Sequence, residues 1–358
     1  LGLERQQFLT EELMRYPEFL KPGGTLGFIA PSFGCATEPY TSCFNAAQER
    51  FRREGYGIVL GPNCYAADGS GKSSTPHNCG AEVNKLFTSP AADVLISCGG
   101  GETMCEDLPF IDFDALAKAA PKWFMGYSDN TNLTFTLPVL CDTAAIYGPN
   151  APAFGMSKWH RSLEDAWALL RGKKRKFHSY PRWERESLKT PEDPLVPYNL
   201  TEPTRLRTVS ASDEPDNPVE FSGRLIGGCL DSLINLAGTP YGKAPEFAEK
   251  YASDGIIWFL ESCELTTMGI RRALWQLTQA GWFRHVRGFI FGRPFMIDDR
   301  FGDEGPADAV LAALSGFSVP IVLDADIGHL PPAMPIVSGA LARVRAAAGT
   351  LSIEYFFE

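Results

Sequence analysis

Residues 123–140 read "WFMGYSDNTNLTFTLPVL". Trp123 to Gly126 is an apolar run of strand length that stops at a tight polar corner, and a mostly apolar run resumes from Leu133 to Leu140. Strand, corner, helix is the geometry that lifts a serine hydroxyl clear of a sheet. It also aims the N–H of the next residue where an oxyanion would form. Ser128 stands at the corner and Asp129 follows it. The sequence is G-Y-S-D-N rather than G-x-S-x-G, and Ser-Asp is also an ordinary helix N-cap. On the motif alone the cap is the simpler reading.

Upstream of the corner, strands and helices alternate. "GGTLGFIAPS" (23–32) is a buried strand, and "CFNAAQERFRREGY" (43–56) has helical spacing with Gly55 as a C-cap. "GIVLGPN" (57–63) is a strand, "AEVNKLFTS" (81–89) a helix, and "ADVLISCGGG" (92–101) a strand running into three glycines. "FDALAKAA" (113–120) is helical, and residues 1–19 also read as a helix. This alternation predicts an α/β fold, a parallel sheet flanked by helices, over residues 1–172. Residues 173–219 are dense in charge and proline and hold no period, which predicts a linker or insertion. A second, smaller α/β domain is expected over 220–358, with a Gly-rich turn, the strand "DGIIWFLES" and the helix "GIRRALWQLTQAGWF".

The 358 residues, 44% hydrophobic and 21% charged, suit two globular domains. A net charge of −10 argues against a surface that tracks nucleic-acid phosphates. No apolar run approaches the roughly 20 residues of a membrane helix. The opening "LGLERQQFLTEELMRY" lacks the apolar core and cleavage site of a signal peptide. The nine cysteines form no C-x-x-C pair and read as reduced thiols, so the expected compartment is the cytoplasm.

Three stretches carry candidate chemistry. In "SCGGGETM" (97–104), glycine N–H groups at a strand's end can face an oxyanion or a phosphate, or the run is a plain strand-to-helix turn. "ADGSGKSS" (67–74) resembles a P-loop, but Ala66 stands where the first glycine belongs and no buried strand leads in, so a flexible surface loop is expected. A serine nucleophile at Ser128 needs a base and an orienting acid. Of five histidines, His77 lies in that loop, and His160, His178 and His285 sit in charged settings expected to be solvated. His329 follows the apolar strand "VPIVLDAD" on a glycine corner, and either projects into a cleft or is a hydrogen-bonded core residue. The acid candidates are Glu261, closing "GIIWFL", and Glu264, which could equally be a helix-terminal charge.

Seven blocks in order are similar to the LD-carboxypeptidase family of serine peptidases, which includes microcin C self-immunity proteins. They are "APS", "SCGGGETM", "GYSDNT", "YGPN", "GGCLDSLINLAGTPYG", "FLESCE…IRRALWQLTQAG" and "DIGH". The resemblance implies Ser128 as nucleophile, Glu261 as acid and His329 as base. It implies an oxyanion hole from Gly99, Gly100 and the N–H of Asp129. Gly101 departs from the pattern, since a larger residue is common there. The implied fold is Rossmann-like with a partly barrel-like second domain, the implied assembly a cytoplasmic homodimer, and no metal or cofactor is implied. The implied substrate is a murein tetrapeptide or an aminoacyl-nucleotide. The long 173–219 insertion looks more like the immunity branch, and Trp183 or Tyr180 in it could stack on a base or simply pack the linker. A non-catalytic small-molecule-binding module on the same scaffold is the competing class.

Overall fold

The computed structural model describes residues 13–209 and 218–357. Its strands, in chain order, are β1 Thr25–Ile29, β2 Gly57–Leu60, β3 Val94–Ser97, β4 Phe124–Gly126 and β5 Ala145–Tyr147, then β6 Lys176–His178, β7 Arg182–Trp183, β8 Glu202–Pro203 and β9 Arg207–Val209. The rest are β10 Val219–Cys229, β11 Ile256–Glu261, β12 Val286–Gly292, β13 Ile321–Ala325, β14 Ile336–Ser338, β15 Leu341–Ala347 and β16 Thr350–Phe356.

The first sheet has the order β14-β5-β4-β3-β1-β2, with β1 to β5 mutually parallel and β14 antiparallel to β5. Parallel strands covered on both faces become continuous apolar runs, and every residue of β3, β4 and β5 is buried. The helix Tyr40–Arg53 buries Phe44, Ala47 and Phe51 against this sheet, where Phe44 meets Phe28 edge-on at 5.2 Å between ring centroids. Gly55 follows it at φ +87°, the left-handed position that ends a helix at least cost in glycine.

The second sheet has the order β6-β16-β15-β10-β11-β12-β13-β9. Its centre, β10 to β13, is parallel, and its flanks are antiparallel. The buried alternation of β15 and β16 marks strands with one wet face, whereas all six residues of β11 are buried. The sheet stays open, since its edge strands β6 and β9 are not paired with one another. The expected barrel-like character is therefore corrected.

The two sheets are joined by more than one crossing of the chain. From the second half, β14 returns to pair Ile336 with Tyr147 in the first sheet. The chain then doubles back, and Leu225 and Gly339–Ala340 exchange backbone hydrogen bonds of 2.7 and 2.9 Å. The stretch expected as a linker ties into the second sheet at both described ends, through β6 on β16 and β9 on β13. Between them β7 and β8 form a two-stranded ribbon.

The helix expected over 1–19 lies partly outside the described residues. Its described part, from residue 13, carries no helix and instead bridges Arg15 to Thr143. The P-loop lookalike is not a free surface loop along its whole length. Ser73 is buried, donating to the Ala30 carbonyl at 2.5 Å, and Lys72 pairs with Glu106 at 2.5 Å. Among the described residues no helix is long and apolar enough to cross a membrane.

Candidate active site

The corner after β4 is built by backbone. Tyr127 is extended, and Ser128 takes φ +66°, a left-handed conformation that costs a non-glycine residue about 1–2 kcal/mol. Buried polar side chains hold it there. Asn130 donates to the Gly99 carbonyl at 2.7 Å and to the Tyr127 carbonyl at 3.0 Å. Asp129 accepts from Ser32 Oγ at 2.5 Å, the Met104 N–H at 2.9 Å and Asn132 Nδ2 at 3.0 Å. Burial pushes the Asp129 carboxyl up, and the bonds from Ser32 and Met104 oppose that. Ser32 comes from "APS", so the first strand's exit helps to set the corner.

The glycine run approaches Ser128 directly. A Cβ on Gly100 would stand 2.9 Å from Ser128 Cβ and 3.8 Å from the Asp129 nitrogen. Gly99 lies one step back, against Phe33, so Gly100 is the glycine beside the serine. Gly101 sits at φ +156°, and a Cβ there would meet Ser32 Oγ at 2.2 Å. Only glycine fits while Ser32 holds Asp129.

The second half of the molecule supplies the other two side chains. Glu261 ends β11, and His329 follows Gly328, which takes φ +105°. His329 Nε2 lies 2.8 Å from Ser128 Oγ, and its Nδ1 lies 2.9 Å from Glu261 Oε2. The other carboxylate oxygen, Oε1, accepts from the Tyr147 hydroxyl at 2.5 Å, and that hydroxyl accepts from the Ser128 N–H at 3.1 Å. Glu261 is 1% exposed, so neither oxygen is left for water. The Tyr127 ring packs 5.2 Å from the imidazole. Burial disfavours the charged form of both partners. Against it, the Glu261 charge lifts His329 well above the usual histidine range, and His329 holds Glu261 below the usual carboxylate range.

The structure thus brings Ser128, His329 and Gly100 to one cleft of about 540 Å³, with Glu261 buried behind His329. Glu264 is exposed; its backbone N–H is held by Asp231 at 2.8 Å. Trp183 and Tyr180 do not line this cleft. Tyr180 is 3% exposed, its hydroxyl bound to Asp165 at 3.0 Å. Trp183 is 6% exposed, and the Arg293 guanidinium lies 5.2 Å from its ring centroid. Their expected place as stacking groups in the cleft is corrected: both are buried outside it. The insertion reaches the cleft instead through Glu184, Lys189 and Tyr198. His160, expected in solvent, is half-buried between Tyr180 and Tyr198 and caps the helix Arg161–Leu170. Sequence reasoning also missed Tyr147 and Asn150, although "YGPN" marked the place. Among the described residues, no group of three or more His, Cys, Asp or Glu is arranged to hold a metal.

Comparison with known sequences decides the family. Profiles of the LD-carboxypeptidase N-terminal and C-terminal domains match residues 26–148 and 222–344. The chain belongs to the LD-carboxypeptidase family. The microcin C7 self-immunity protein MccF of Escherichia coli is 27% identical over 329 residues, 89% of this chain and 90% of that one. A Streptomyces coelicolor protein carrying a carboxypeptidase name is 24% identical over 96% of this chain and 97% of its own. Among solved structures, an MccF-like protein from Bacillus anthracis superposes with a TM-score of 0.79 at 21% identity, covering 96% of this chain and all of that one. MccF in complex with aspartyl sulfamoyl adenosine gives 0.78 at 24% identity, covering 94% and 98%. An MccF-like protein from Streptococcus pneumoniae in complex with AMP gives 0.74 at 22%, covering 93% and 99%. At these identities the structures speak to the fold.

Proposed function

We propose that this chain is a serine carboxypeptidase or amidase that cleaves a peptide or amide bond near a C-terminus. The observation that carries the reading is the unbroken chain Ser128 Oγ–His329–Glu261, with bonds of 2.8 and 2.9 Å, at a serine held in left-handed conformation. His329 Nε2 takes the Ser128 proton as Oγ attacks the carbonyl, and later delivers it to the leaving amine. Glu261 fixes Nδ1–H and stabilises the imidazolium, while Tyr147 satisfies its second oxygen. The N–H groups of Gly100 and Asp129 are assigned to the oxyanion. Water then releases the acyl group through the same histidine.

For the substrate, an aminoacyl-nucleotide or its peptidyl precursor is the preferred class, with the murein tetrapeptide as the alternative within the family. The ligands of MccF and of the pneumococcal MccF-like protein support the nucleotide branch. Within the cleft, Phe33, Tyr40, Tyr127 and Tyr198 offer partly exposed aromatic surfaces to a base, and Lys189 is the lining Lys/Arg side chain available to a phosphate or carboxylate, among the described residues. A cytoplasmic homodimer completes the proposal on the family resemblance.

The test is covalent labelling with a fluorophosphonate, followed by hydrolysis of an aminoacyl sulfamoyl adenylate and of murein tetrapeptide. Ser128 should be the labelled residue, and one of the two substrates should turn over. A protein that binds either compound yet neither labels nor turns over would be a non-catalytic binding module.

A further inference from the structure

A second cavity, of about 330 Å³, lies on the far side of Glu261 from the serine cleft. Its floor is the carboxyl ends of three parallel strands: Glu261–Ser262 after β11, Gly292–Arg293 after β12, and Leu323–Asp324 in β13. One wall is the first turn of the helix Pro306–Leu314. The opposite wall is the insertion, through Trp183, Arg205 and Arg207. The carboxyl ends of parallel strands are where open α/β sheets take ligands, and the volume sits at the lower end of small-ligand cavities, about 300–1,000 Å³.

The charge arrangement is unusual for a chain of net charge −10. Four arginines converge here: Arg205, Arg207, Arg293 and Arg300. The three lining carboxylates are all engaged. Glu261 is held by His329 and Tyr147, Asp308 accepts from the Gly305 N–H at 2.8 Å, and Asp324 accepts from Arg207 Nε at 2.8 Å. Arg205 and Arg300 make no ion pair among the described residues. In the floor, Arg293 is 2% exposed and clamped by Asp326 at 2.5 Å, yet its Nε has no partner. Ser262 is 3% exposed, and its Oγ is also unpartnered. Native proteins leave few buried donors unsatisfied, so two beside one cavity call for an acceptor or a structural reason. Trp183, Ile270 and Phe291 supply an apolar surface between these groups.

We propose that this cavity binds a small organic oxyanion, a carboxylate or phosphate carried on a flat or apolar body, at a site distinct from the Ser128 cleft. The oxyanion is taken by the guanidiniums of Arg205 and Arg300, whose planar forks suit carboxylate and phosphate alike. The body lies against the Trp183 wall. Because the two sites share Glu261 as a partition, a bound anion adds negative potential behind the carboxylate that faces His329.

The experiment is calorimetric titration of the full chain carrying Ser128→Ala, so that no turnover intervenes. Phenyl phosphate and benzoate are the two organic probes, and inorganic phosphate is the control. At least one organic probe should bind at one equivalent and at least tenfold more tightly than inorganic phosphate, and the better of the two names the oxyanion. Adding Arg205→Ala and Arg300→Ala, both at exposed positions, should weaken that binding at least tenfold. Adding Lys189→Ala, in the serine cleft, should leave it unchanged. Absence of saturable binding by both organic probes, affinity no better than for inorganic phosphate, binding indifferent to the arginine pair, or a loss that follows Lys189 would each overturn the proposal.

Discussion

The two halves of the molecule hold their functional side chains by different physics. In the first half Ser128 is placed by backbone: a left-handed φ, a glycine pressed against it, and a belt of buried polar residues, Asp129 to Asn132, whose side chains bond to neighbouring turns. In the second half Glu261 is buried at the end of an apolar strand, His329 stands beyond β13 on the Gly328 corner, and their mutual charge does the rest. One half sets position, and the other sets proton affinity. Substitutions on the two sides should therefore fail in different ways.

The largest effect is expected on the positional side. Ser128→Ala should fold normally and lose about 10⁴-fold or more in kcat, because members of a nucleophile–base–acid chain act as a unit. Near-normal turnover would reduce Ser128 to a helix cap. On the electrostatic side, Glu261→Gln should keep the geometry and cost about 10³-fold or more, while Glu264→Gln should leave kcat within about twofold. Steady-state kinetics with reversed penalties would move the acid to Glu264.

The pH profile sharpens the same contrast. In the proposed mechanism His329 must be neutral to accept the Ser128 proton, and its pKa is raised by Glu261. Activity should thus be low in acid and rise with pH through a limb lying above 6.5, read from kcat/KM. A limb below 6.5 would mean that burial outweighs the carboxylate. Tyr147→Phe touches both halves, since the hydroxyl serves the Ser128 N–H and Glu261. A hydrogen bond to a charged group is worth about 1.5–3 kcal/mol, so kcat should fall roughly ten- to a hundredfold, with little change in KM. A change confined to KM would make Tyr147 a substrate contact. The smallest effect concerns the insertion. Tyr198→Ala should raise KM for an aminoacyl-nucleotide about tenfold through lost stacking, whereas Trp183→Ala should lower stability by about 3–5 kcal/mol and leave KM alone. Denaturant melts and kinetics on both variants separate the two roles.

Much of this was legible from the chain, and the exceptions have physical causes. The strands around 25–29, 94–97 and 124–126 were visible because parallel, doubly covered strands become apolar runs, and the edge strand 57–60, none of whose residues is buried, was marked by a short apolar run between glycines. Ser128, Glu261 and His329 were each singled out by standing at a strand's end. Tyr147 was not, because a tyrosine closing an apolar strand reads as core until its hydroxyl is seen to bridge Glu261 and Ser128. The insertion was the least legible part. Its strands run only two or three residues, too few to show a period, so nothing in the sequence told which way Trp183, Tyr180 and Tyr198 would face. Tyr180 and Trp183, the aromatic residues the sequence offers there, are buried outside the serine cleft.

The return of β14 to the first sheet has a consequence for how the molecule can be divided. Ile336, Val337 and Ser338 are fully buried against β5, and the chain on either side of them belongs to the other half. A polypeptide cut near residue 218 would leave the first sheet with an uncovered apolar border and the second fragment with an orphaned strand. The two halves therefore resist being separated or exchanged as independent modules.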